Sequence, residues 1–302
     1  MRVVYPQLSH YDLGLVRVIG PGLGNLLFPW ARAITYAERH DLPILFPTWP
    51  QVKIGSVLRR ERDTRFYWDL FRSTSRYVTG TKRLALLATG KRVSWSLDKE
   101  PPGKAISRPS LLTFTGMEGH FEAVLDDYAL IRRELEAMSR QAQLQSVIVS
   151  KERWVGVHVR LGDFTPPPSE QTLQYGHHNY RIPLEWYVDR LEALRSHTGI
   201  TKALVFSDGT NAELEPLLSL PHVSRSEGRS SLADMLSLAR CNALVASGST
   251  FSMWASFLGR MPVIWYPGQL RQRLYKEGFE LESARGAALP GDFSSRQSIE
   301  AA

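Results

Sequence analysis

Four short stretches carry side chains whose types and spacing suit a phosphorylated ligand. The first is His158-Val-Arg160-Leu-Gly-Asp163. On a strand, residues two apart project to the same side, so His158 and Arg160 would face one ligand together. Arginine offers a planar fork of donors that matches phosphate oxygens, and Gly162 permits a tight exit turn. For Arg160 taken alone, an ion pair with Asp163 is an equally good account. The second stretch is Ala246-Ser-Gly-Ser-Thr-Phe-Ser252, a small hydroxyl-rich loop that opens a helix. Free amides and the positive end of the dipole attract phosphate at such a start. Ser247, Ser249, Thr250 and Ser252 add further donors; N-capping accounts for one of them but has no need of four. The third is Asp234, whose carboxylate can accept two hydrogen bonds from a guanine edge or a ribose. Alone it reads as a solvated helix residue, just as Asp208 in Phe206-Ser-Asp-Gly209 reads as a turn former. The fourth is Gly20-Pro-Gly22-Leu-Gly24-Asn25. It lacks the last glycine of GxGxxG and has no Walker lysine, which excludes P-loop chemistry. What remains is a backbone open to close approach at a helix start, with Asn25 as a polar contact. No metal constellation emerges. His177 and His178 are adjacent, which suits ligation by both rings poorly, and no Asp-x-Asp run is present.

Strands alternating with helices must position these groups. In the first half, strands are expected at Leu15–Ile19, Pro43–Phe46 and Leu111–Thr115, with helices over about 26–40 and 128–145. The second half reads as strands at Trp154–Val159, Ala203–Phe206, Ala243–Ala246 and Pro262–Tyr266. Helices fall between them, over about 184–195, 231–240 and 251–258. This alternation implies an α/β fold with parallel sheets, whose ligands bind beyond the carboxyl ends of the strands. The expected domains are residues 1–150 and 151–282. Residues 283–302, rich in Ser, Ala, Gly and Gln, are expected to form a flexible tail.

The 302 residues are 43% hydrophobic and 22% charged, which excludes wholesale disorder. A single cysteine, Cys241, excludes an intrachain disulfide and fits a reducing compartment. The first thirty residues hold no long apolar core, so no cleaved secretion signal is expected. The charge-free run Cys241–Gly259 is interrupted by polar residues and does not read as a membrane span. The net charge of +7 is uneven: residues 51–110 hold fourteen Lys/Arg against five Asp/Glu, and the remainder sums to −2. Aromatic residues are interleaved there (Phe66, Tyr67, Trp68, Phe71). This mixture suits an anionic membrane surface, at about 1 kcal/mol per basic residue, or else a solvated basic face. No nucleic-acid-binding motif is present. The expected location is cytoplasmic, peripheral on the inner face of a membrane.

In order, these motifs resemble glycosyltransferase family 11, the α-1,2-fucosyltransferases, within the fucosyltransferase superfamily. Gly22-Leu-Gly-Asn-Leu-Leu-Phe28 is similar to that family's G-L-G-N-x-x-F, and His158-Val-Arg-Leu-Gly-Asp-Phe164 to its H-V-R-R-G-D-Y. Phe206-Ser-Asp resembles its F-S-D. Asp234 through Cys241, followed by Ser249-Thr-Phe-Ser-Met-Trp254, is similar to D-x-x-x-x-x-x-C…S-[ST]-F-S-W-W. Gly116-Met-Glu-Gly-His-Phe121 is similar to a further patch. The departures are Leu161 for a second arginine, Phe164 for tyrosine and Met253 for tryptophan. The resemblance implies a GT-B fold, two Rossmann-like domains facing a central cleft. It implies inverting, metal-independent transfer of L-fucose from GDP-β-L-fucose to a glycan hydroxyl, O2 of a galactose-like residue, the glycan being free or lipid-linked. Under that reading Arg160 holds the diphosphate and His158 the nucleoside side of the donor. Asp234 recognises guanine, and Ser249, Thr250, Phe251 and Ser252 receive phosphate. Gly22, Gly24 and Asn25 line the cleft from the first domain. Asp163, Glu118 and Asp208 are candidates for the base. Other readings are the same fold with another GDP- or NDP-sugar, and a non-catalytic protein binding nucleotide or anionic lipid.

Overall fold

The computed structural model describes residues 1–52, 66–101, 108–227, 230–275 and 279–293. Its described residues form two compact units, the first ending at Gln145 and the second beginning at Ser146. In the first unit, β1 (Arg2–Pro6) and β2 (Arg17–Val18) precede α1 (Leu23–Arg39). β3 (Ile44–Leu45), β4 (Gln51–Val52), β5 (Tyr77–Val78), α2 (Gly80–Thr89), β6 (Lys91–Ser94) and β7 (Ser110–Phe114) follow. α3 (Tyr128–Met138) and α4 (Gln141–Gln145) close it. The main sheet runs β5-β3-β1-β7-β6, with every pairing parallel.

The expected strand at Leu15–Ile19 is not the sheet's first strand. Only Arg17 and Val18 pair, with Gln51 and Val52, while Leu13, Leu15 and Ile19 lie exposed. The central strand is instead Arg2–Pro6, whose Val3, Val4 and Tyr5 are fully buried between β3 and β7. The expected helix over 128–145 breaks at Ser139, which leaves the helical backbone while its hydroxyl donates to Leu135 O at 2.7 Å. Parts of the basic segment are structural. Arg83 is buried and donates to Phe46 O and Thr48 Oγ1, and Arg76 pairs with Glu38. Lys53, Arg59, Arg60, Arg62, Arg65 and Lys104 lie outside the described residues.

The second unit holds β8 (Trp154–Val159), α5 (Glu170–Gln174), α6 (Leu184–Thr198), β9 (Lys202–Ser207), α7 (Glu215–Leu218) and β10 (Val223–Arg225). α8 (Ser231–Leu238), β11 (Ala243–Val245), α9 (Thr250–Gly259), β12 (Val263–Trp265) and β13 (Glu280–Glu282) complete it. The sheet order is β10-β9-β8-β11-β12-β13, and all neighbours are parallel. Beginning at β8, the chain winds outward through β9 and β10. It then returns to the other side of β8 and winds outward through β11, β12 and β13. A doubly wound sheet opens a crevice where its order reverses, here between β8 and β11. With helices on both faces its strands are continuous apolar runs, and Val155, Val157, Val205, Val245 and Ile264 are fully buried.

The tail expected to begin at residue 283 is packed as far as Phe293, and β13 adds a strand beyond the one expected at 262–266. Trp186 Nε1 donates to Ser283 O at 2.8 Å, and buried Arg190 donates to Ser283 Oγ and Ala287 O. His197 Nε2 donates to Phe293 O, and the Phe293 ring sits in the core, 2% exposed. Composition misled here because backbone carbonyls and a single ring do the docking. Residues 294–302 lie outside the described residues. Among the described residues, no helix is long and apolar enough to cross a membrane.

Removing the Phe293 ring leaves a cavity in this core. Phe293→Ala is expected to lower unfolding free energy by about 3 kcal/mol in equilibrium denaturation. A loss within measurement error would mean that the segment is not part of the cooperative core.

Candidate functional site

The crevice between β8 and β11 is built from two of the motifs. β8 ends in His158-Val159, and its pairing with β11 brings it alongside Ala243–Val245. The chain leaving β11 runs through Ser247-Gly248-Ser249 into α9. His158 is buried, and its Nδ1 lies 2.7 Å from Ser252 Oγ and 2.9 Å from Ser247 Oγ. Ser247 Oγ is in turn 2.9 Å from Ser249 Oγ and 3.1 Å from Ser252 Oγ. Ser249 caps α9, its hydroxyl accepting from Ser252 N. The Phe251 ring stacks on the imidazole with centroids 4.7 Å apart at 30°. Burial is the main reason that the His158 pKa lies well below its ordinary value, and the Arg160 charge acts in the same direction. The ring is therefore neutral.

This explains why the loop carries so many hydroxyls. The sequence suggested four donors for a ligand; Ser247, Ser249 and Ser252 are buried and bonded to one another and to His158. They shape the loop and hold the imidazole, and Thr250 and Phe251 lie half-buried at the start of α9.

Arg160 lies one residue past the end of β8. Its guanidinium is 2.5 Å from Asp163 Oδ1 and 2.6 Å from Asp208 Oδ2, and it lies over the Phe164 ring at 5.6 Å. Asp208 Oδ1 also accepts from Leu161 N at 2.8 Å. Asp208 is thus more than a turn former, because it ties the ends of β8 and β9 together and orients the arginine. Gly162 serves this arrangement by its lack of a side chain: a Cβ there would lie 2.5 Å from Asp208 Oδ2. Leu161 points into the core. His158 reaches the loop after β11, whereas Arg160 reaches the end of β9, so the two residues link β8 to its neighbours on both sides.

Asp234 is held elsewhere along the same edge. It lies in the first turn of α8, where a negative charge favours the helix dipole, and Ser226 Oγ donates to its Oδ1 at 2.7 Å. α8 starts from the carboxyl end of β10, two strands from β8. A fifth strand end, after β12, contributes two residues that motif reading passed over. Gln269 donates to Leu173 O and His177 O and packs so closely on Gly248 that a Cβ there would meet its Oε1 at 2.2 Å. Arg271 Nε donates to Gly248 O at 3.1 Å. The signal was present, since Pro262–Tyr266 reads as a strand and its carboxyl end carries Gln269 and Arg271.

In the first unit, Gly22 is the N-cap of α1, and Gly24 and Asn25 lie in its first turn. Arg32, on the same helix, is buried and donates to Thr115 O, Gly116 O and Glu118 O. It thereby clamps a turn in which Gly116, Gly119 and His120 have positive φ. Glu118 is exposed on that turn. Among the described residues, no group of three His, Cys, Asp or Glu side chains could hold a metal ion.

The family profile described as Glycosyl transferase family 11 matches residues 109–265, just over half of the chain. The O-antigen biosynthesis glycosyltransferase WbnK of Escherichia coli is 21% identical over 170 residues, covering 53% of this chain and 55% of that protein. The chain thus spans about half the length of this curated relative. Among solved structures, POFUT1 in complex with GDP aligns with a TM-score of 0.51 at 13% identity, over 87% of this chain and 97% of that one. POFUT1 in complex with GDP-fucose aligns with a TM-score of 0.51 at 14% identity over the same shares. These structural likenesses show a shared α/β fold.

The neutral imidazole has a measurable consequence. Below about pH 6.5 the unfolded chain takes up a proton at His158 that the folded chain refuses. Stability is therefore lost as pH falls, by up to about 1.4 kcal/mol per pH unit from this residue. Urea titrations of His158→Asn and of the wild type between pH 6.5 and 5 are expected to differ in acid sensitivity by about 1 to 2 kcal/mol. The wild type should be the more sensitive. Parallel curves would show that the ring is not held neutral.

Proposed function

The chain belongs to glycosyl transferase family 11, and from that premise we propose that it is an inverting, metal-independent fucosyltransferase using GDP-β-L-fucose. The proposed acceptor is a glycan hydroxyl, O2 of a galactose-like residue, on a free or lipid-linked glycan. In this reading the two units are the Rossmann-like domains of a GT-B enzyme, residues 1–150 serving the acceptor and 151–282 the donor. The observation that carries it is the hydrogen-bonded joining of His158 to Ser247 and Ser252 where the parallel sheet reverses its order, inside the family match.

In this reading a nucleoside diphosphate lies along the edge. Asp234, at the β10 end, would accept from the guanine edge. The β8–β11 crevice, two and a half strand spacings or about 12 Å away, would take the diphosphate on the amides of α9 beside Arg160, with His158 bordering the nucleoside. Ser249 and Ser252 support that surface from below, Thr250 and Phe251 line it, and Gly22, Gly24 and Asn25 serve the acceptor side. In the transfer, the acceptor oxygen forms its bond to C1 of fucose as the bond from C1 to the β-phosphate oxygen breaks. The electron pair leaves with GDP, and the hydroxyl proton passes to a carboxylate, for which Asp163 and Glu118 are the candidates. Donors aimed at the departing oxygens stabilise the charge that develops there.

Calorimetric titration in EDTA with GDP, UDP and ADP tests the donor half. GDP-selective binding is expected, and Arg160→Ala is expected to reduce transfer from GDP-fucose by at least about 100-fold. Selectivity for UDP or ADP would move the assignment to another NDP-sugar. GDP binding without turnover across an acceptor panel would favour a non-catalytic nucleotide-binding protein. We also propose that the basic segment over 51–110 places the enzyme on an anionic cytoplasmic membrane face, helped by exposed Leu13, Leu15 and Ile19. Neutralising Arg59, Arg60 and Arg62 together should then weaken binding to vesicles containing anionic lipid by about tenfold or more. Unchanged vesicle binding would remove the membrane from this reading.

A further inference from the structure

Arg160 brings little net charge to a phosphate. Its guanidinium already faces two carboxylates, Asp163 and Asp208, so the three side chains together are net negative. A departing diphosphate carries several negative charges, and the amides of α9 supply only partial positive charge. A further cation is needed at this edge.

Arg271 has the required properties. It follows β12, whose carboxyl end adjoins that of β11. Its Nε bond to Gly248 O fixes the stem against the loop between Ser247 and Ser249, and Gln269, packed on the same glycine, closes the loop from behind. Among the described residues, neither terminal nitrogen of Arg271 has a hydrogen-bond acceptor and no carboxylate forms an ion pair with it. The two acids on the adjoining β13 are engaged elsewhere: Glu282 accepts from Leu270 N, and Glu280 accepts from Leu274 N and Tyr275 N. Burial lowers the Arg271 pKa from the ordinary arginine value, and among the described residues no acid offsets it. An anion arriving at the fork would relieve that desolvation.

We propose that Arg271 is the donor-contact cation of this site, its terminal N–H fork binding the diphosphate at the start of α9 and stabilising the charge that accumulates on GDP as it leaves. Arg160 then acts as an oriented hydrogen-bond donor held by its two aspartates, and Arg271 supplies the net positive charge. This assignment rests on the donor-binding reading above.

Calorimetric titrations of wild type, Arg271→Ala and Arg271→Lys with GDP, guanosine and inorganic pyrophosphate test it, with thermal unfolding of each variant as the check on folding. Arg271→Ala should raise the Kd for GDP and for pyrophosphate about 10- to 100-fold and leave guanosine binding unchanged. Arg271→Lys should fall between, since it keeps the charge but not the fork. Unchanged GDP affinity in a folded Arg271→Ala protein overturns the assignment. Equal losses for GDP and guanosine also overturn it, because they mean that the loop has merely collapsed. If wild type binds pyrophosphate through Arg271 but not GDP, the anion site stands and the GDP-sugar reading fails. If wild type binds neither, both fail.

Discussion

A parallel sheet covered on both faces must satisfy its backbone internally and fill both faces with apolar side chains. Polar chemistry can then gather only where strands end. In the second unit this constraint concentrates His158, Arg160, Asp208, Ser247 and Arg271 along one edge, although they span more than a hundred residues of sequence. The reversal of strand order between β8 and β11 opens the space between two of those ends. Every feature of the site is a way of finishing a strand: a histidine next to the last residue of β8, a hydroxyl loop after β11, an arginine after β12.

The edge is also electrostatically layered. Its inner layer is neutral and rigid, an imidazole kept uncharged by burial and held by serine hydroxyls. Around it stand charged groups of two kinds. Arg160 is held by acids and is positioned at the expense of net charge, while among the described residues the charge of Arg271 is offset by no acid and its Nε meets a backbone carbonyl. Under the proposed function, in which the site binds an anion and then releases it, this division is an advantage. Orientation comes from the balanced group and attraction from the unbalanced one.

Much of this was legible in the residues. β8, β9, β11 and β12 read as strands because fully buried strands are unbroken apolar runs, and the rule of carboxyl ends then pointed to His158, Arg160 and the serine loop. The failures have identifiable causes. Leu15–Ile19 has the composition of a strand, but apolar content does not reveal burial, and the sheet chose Arg2–Pro6. The segment from Ser283 to Phe293 looks like a tail because its anchors are carbonyl groups, which composition cannot show. Asp208 read as a turn residue because its partner, Arg160, is 48 positions away. The hydroxyls after β11 were counted as ligand donors because a buried histidine that would consume them is invisible until β8 and β11 are adjacent.

The winding order carries a consequence for biosynthesis. When a ribosome has released the chain only as far as β10, β8 has β9 on one side and nothing on the other. Its second edge, central in the finished sheet, is then an exposed apolar strand of the kind that invites pairing with other chains. That edge is covered only when β11 emerges, and the sheet is complete only when β13 joins β12. A nascent or prematurely terminated chain therefore displays its most adhesive surface where the finished protein holds its most ordered one, and such fragments are natural clients for chaperones.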